Sequence, residues 1–115
     1  AYNPCALKYG WMPPHPTVYC KREVYERVGL YDEWFRISAD YDMMLRIFRA
    51  GYQSLYIPEV LVCMQIGGAS NKNASALLSK TQEDRLVLKK NSVGFGYLTV
   101  VCKQLRKIKQ FIRKY

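Results

Sequence analysis

Two carboxylates, Asp40 and Asp42, stand one residue apart at the start of an apolar helical repeat, and any fold of this chain has to house both. Tyr41, Met44, Ile47 and Phe48 recur at three- and four-residue spacing, which predicts a helix from Ser38–Asp40 to Ala50 with that face in the core. Gly51 ends it. Acids at a helix start have a plain structural use. Asp40 caps unpaired N–H groups, Asp42 sits in the first turn, and the helix dipole stabilises each by up to ~1 kcal/mol. Asp42 also precedes Arg46 by four residues, an ion-pair spacing on a helix. The other use is chemical: a carboxylate held at a helix N-terminus and facing a cleft takes a proton from a hydroxyl as that oxygen attacks.

Short elements separated by glycine and proline make up the rest. The run Tyr9-Gly10-Trp11-Met12-Pro13-Pro14-His15-Pro16 reads as loop. Lys21 to Val28 reads as a short helix stopped by Gly29, and Leu30 to Phe35 as an aromatic connector. Gln53–Ile57, closed by Pro58, and Val60–Ile66 are β-prone and predict two strands. Gly67-Gly68-Ala69-Ser70-Asn71 is a glycine-rich turn. From about Asn73 to Asn91 a longer helix carries Ala76, Leu77, Thr81, Leu86 and Leu88. A last helix aligns Leu98, Val101, Leu105, Ile108, Ile112 and Tyr115 on one side, with lysines and arginines opposite.

Composition narrows the function classes. A chain of 115 residues is one domain at most, and its 50% hydrophobic content with ten tyrosines argues against disorder. Four scattered cysteines with no CxxC pair and a single histidine make a structural zinc site a poor fit; free thiols in a reducing cytosol fit better. The net charge of +9 calls for an anionic partner, yet it concentrates in Lys103, Arg106, Lys107, Lys109, Arg113 and Lys114. An apolar stripe under a basic face suits an anionic membrane surface over Val101–Tyr115. Nucleic acid suits it less, because the helix has no interleaved aromatic platforms.

The order of segments adds a further expectation. His15 to Glu33 leads into Ala39-Asp40-Tyr41-Asp42, followed by Arg46, Arg49-Ala50-Gly51-Tyr52, Ile57-Pro58-Glu59-Val60-Leu61 and Gly67-Gly68-Ala69-Ser70-Asn71. Over roughly Pro14 to Asn91 this resembles the C-terminal half of a bacterial family-2 inverting glycosyltransferase of the GT-A fold. The resemblance implies an α/β fold, here partial, with a short mixed or antiparallel sheet and three or four helices. Residues 1–92 would be the acceptor-side portion and residues 93–115 a basic amphipathic helix.

The resemblance also implies roles. Asp40 matches the general base that deprotonates the acceptor hydroxyl, and Asp42 the second acid, which orients the site or the acceptor. Ala39 stands where the family carries a Glu. His15 falls at the acceptor edge, Arg46 counts among the substrate-binding residues, and Gly67, Gly68 and Ser70 lie in a loop that closes over the donor diphosphate; Trp11, outside the resemblance, is read from its aromatic chemistry as sugar-stacking. Trp34 and Phe35 are read from their chemistry alone as either sugar-stacking or core residues. Full-length members of the family bind a nucleotide-diphospho-sugar and a divalent Mn or Mg ion through an N-terminal half, and act on glycan or lipid-linked acceptors in cell-surface polysaccharide biosynthesis. This chain reads as a fragment without that half, with no metal ligands of its own and no turnover in isolation. The location implied is cytoplasmic, at the inner face of the membrane. The rival expectation is a non-catalytic basic module that docks on an anionic membrane or nucleic acid through its C-terminal helix.

Overall fold

The computed structural model describes residues 4–65, 74–93, 99–102 and 105. Three α-helices carry the architecture: α1 (Arg22–Val28), α2 (Ala39–Arg49) and α3 (Ala74–Lys90). Short 3-10 turns at Pro4–Tyr9 and His15–Thr17 precede them, and residues 99–102 are again helical. α2 packs against both α1 and α3.

The central position of α2 follows from its sequence. Tyr41, Met44 and Ile47 are buried as their spacing predicts, and Phe48 is half-buried. Met43 and Leu45 lie off that face and are buried as well, so the helix is wrapped rather than laid on a core. Leu7, Val24, Phe35, Val87, Leu88 and Val100 close around it. The buried Tyr41 hydroxyl donates to the Leu7 carbonyl at 2.9 Å, and Thr99 Oγ1 donates to the Lys8 carbonyl at 2.8 Å. These two bonds hold the N-terminal turn against α2 and against the helical residues 99–102.

Helix limits match the glycine signals. The Gly29 N–H bonds the Tyr25 carbonyl at 2.9 Å and closes α1 at φ +87°, ψ 164°. That conformation is open essentially only to glycine. Gly51, at φ +83°, follows α2 in the same way.

The predicted sheet is not there. Among the described residues there is no strand, and this corrects the expectation of an α/β unit with a short mixed or antiparallel sheet. Residues 52–65 make no backbone–backbone hydrogen bond among the described residues. Leu55 is 89% and Val60 87% exposed, with Tyr56, Ile57, Leu61 and Met64 exposed too. The propensity of Gln53–Ile57 and Val60–Gln65 for extended backbone is real, but a strand exists only where a neighbouring ladder takes up its N–H and C=O groups. Neither run pairs with the other, and Pro58 removes one donor between them.

Gly29→Ala should lower stability by ~1–3 kcal/mol, because alanine is strained at this φ,ψ and its Cβ would meet Arg46 Nη1 at 3.3 Å. Gly51→Ala, where a Cβ meets nothing within 4 Å, should cost less, about 1 kcal/mol. Urea unfolding of the two variants measures the difference.

Candidate functional site

The two acids of α2 point apart, as residues two positions apart on a helix must. Asp42 is 0% exposed and fully engaged. Its Oδ1 accepts from Asn91 Nδ2 at 2.8 Å, and its Oδ2 accepts from Arg46 Nε at 2.9 Å and Lys90 Nζ at 3.2 Å. Lys90 also donates to Asp32 Oδ2 at 2.8 Å, which ties the loop before α2 to the end of α3.

Arg46 is consumed by structure on every side. Beyond Asp42, its Nη1 donates to the Val28 and Gly29 carbonyls at 2.8 and 3.2 Å, and its Nη2 to the Leu30 carbonyl at 2.9 Å. It therefore caps the negative end of α1 with a cation, where the helix dipole favours one. Arg49 does the same for α3 through the Asn91 carbonyl. At the other end of α2, Glu83 receives the N–H groups of Arg36, Ile37 and Ser38 at 3.3, 2.8 and 2.9 Å. Ser38, the N-cap residue, donates its hydroxyl to Asp84 at 2.6 Å.

Asp40 is different. It is half-buried in the first turn of α2, and its Oδ1 accepts the N–H of Tyr41 at 2.8 Å, one of the donors a helix start leaves unpaired. Among the described residues no cation pairs with it and no side chain bonds its Oδ2. Its charge acts on Tyr31, whose hydroxyl is linked to that of Tyr25. The rings of His15 and Tyr31 meet edge to face at 6.0 Å, and those of Tyr25 and Tyr31 lie 6.3 Å apart. Burial first, and then the hydrogen bond and charge of Cys20, push the Tyr25 phenol up to about 12. Burial, aided by the charges of Cys20 and Asp40, also raises Tyr31 against the opposing bond from Tyr25. Both phenols therefore keep their protons at neutral pH. The result is a partly exposed row of aromatic rings with polar tips beside a carboxylate that is held but not neutralised.

The structure thus brings His15 to the Asp40 side through Tyr31 and commits Asp42 and Arg46 to the interior network. Trp11 is half-buried near the 3-10 turns. Gly67, Gly68 and Ser70 lie outside the described residues. Of the two aromatics read as stacking or core residues, Phe35 is core and Trp34 is exposed. Among the described residues no group of three or more His, Cys, Asp or Glu could hold a metal ion. Among them too, no helix is long and apolar enough to cross a membrane. Lys103, Arg106, Lys107, Lys109, Arg113 and Lys114, the basic stretch expected to lie on one, fall outside the described residues, as does most of the helix expected over Val101–Tyr115.

Sequence reading passed over Glu83, Lys90, Asn91 and Tyr31. Asp84, Val87, Leu88 and Asn91 share the three-, four- and seven-residue spacing of a buried helix face. Counting only apolar residues on α3 hid the polar half of that face. No protein-family model, curated protein or solved structure matches the chain.

Two outcomes test the network. Arg46→Ala strips Asp42 of its closest cation and α1 of its cap, and should cost roughly 2–4 kcal/mol in urea unfolding. The second outcome concerns pH. The Lys90 bond, then the Trp34 N–H, hold the Asp32 carboxyl below its usual 3.8, so its contribution is whole above that value and drains away as pH falls through the lowered one. Burial works against the Lys90 ammonium, but bonds to Asp32 and Asp42 outweigh it and raise it above 10.5. Its contribution is whole below 10.5 and is lost as pH climbs through the raised value. Unfolding midpoints should decline at both extremes, and Lys90→Met should flatten both limbs.

Proposed function

We propose that this chain supplies the acceptor side of an enzyme that moves a sugar from a nucleotide-diphospho donor to a glycan or lipid-linked hydroxyl, with Asp40 as general base. The observation that carries this reading is the separation of the two acids. Asp42 is sealed from solvent by three donors, whereas Asp40, at the start of the same helix, keeps an oxygen outside the network.

In this reading Asp40 Oδ2 receives the acceptor proton as the hydroxyl oxygen forms a bond to the anomeric carbon. The bond from that carbon to the diphosphate oxygen breaks on the opposite side, which inverts the configuration and releases a nucleoside diphosphate. Asp42 acts on the reaction only by fixing α2, and Arg46 by fixing both α2 and the end of α1. His15 and Tyr31 offer polar tips and ring edges to the acceptor next to the base. The order of segments from His15 to Asn71 and its resemblance to family-2 transferases support the choice of reaction. The donor-binding groups and the divalent ion belong to the full-length enzyme, and the membrane surface remains the proposed place of work.

Asp40→Asn keeps the shape and the bond to the Tyr41 N–H but cannot take a proton. In the full-length gene product it should lower sugar transfer by about 10²–10⁴-fold with an unchanged melting temperature. Transfer at the wild-type rate would remove Asp40 from the mechanism.

A further inference from the structure

We draw no further inference here: the strongest candidate, the apolar segment between α2 and α3 on which Leu55, Tyr56, Val60 and Met64 are exposed, carries none, because nothing in the structure shows what covers it.

Discussion

The carboxylate of Asp42 is the joint on which this small fold turns. A charge taken fully out of water costs several kcal/mol unless donors replace its hydration. Asn91, Arg46 and Lys90 provide three, and each comes with a second attachment. Arg46 reaches on to the carbonyls that end α1, Lys90 to Asp32 in the loop before α2, and Asn91 Nδ2 to the Val87 carbonyl within α3. One buried oxygen pair therefore sets the relative placement of three helices and a loop. Such a network does more for uniqueness than for stability, because its parts fit only one arrangement of α1, α2 and α3.

A similar arrangement serves the residues that lead into α2. Glu83 gathers three consecutive N–H groups, while the Ser38 hydroxyl turns to Asp84 instead of capping its own helix. α3 thus grips the start of α2 through Glu83, Asp84 and Lys90, and Asn91, just past α3, bonds Asp42 in the first turn and Arg49 at the far end. The apolar contribution is modest: Leu77, Leu78 and Leu86 of α3 stay exposed, and Val87 and Leu88 carry its share of the core. In a chain this short, polar seams orient what a limited apolar core only brings together.

Local signals survived in the structure, and non-local ones did not. The glycine stops after α1 and α2, the apolar repeat of α2 and the extent of α3 were all legible, because each is decided by neighbours within a few residues. The two strands were not decided that way. Gln53–Ile57 and Val60–Gln65 have the right side chains for extended backbone, but pairing depends on a partner that spacing along the chain cannot reveal. Asp42–Arg46 was visible as an i, i+4 pair; that Lys90 and Asn91 join it was not, since they are 48 and 49 residues away. Of the residues that come together beside Asp40, the sequence singled out Asp40 and His15 by residue type, while Tyr31, which lies between them, was read only as part of a linker.

A capping acid and a catalytic base are often treated as competing explanations for one residue; under the proposed function they become demands on two. An acid poised for chemistry must be rigid, ionised and only partly satisfied. Rigidity comes from the bonds around α2: Asp42 and Arg46 on the helix itself and Glu83 on α3 hold the backbone under Asp40 in place. At the helix start its Oδ1 accepts the Tyr41 N–H. The third demand is met because no cation reaches Asp40 among the described residues, whereas the cations near α2 are drawn to Asp42 and to helix carbonyls. The anchoring of Asp42 is therefore what draws the neighbouring cations inward and leaves Asp40 without one among the described residues.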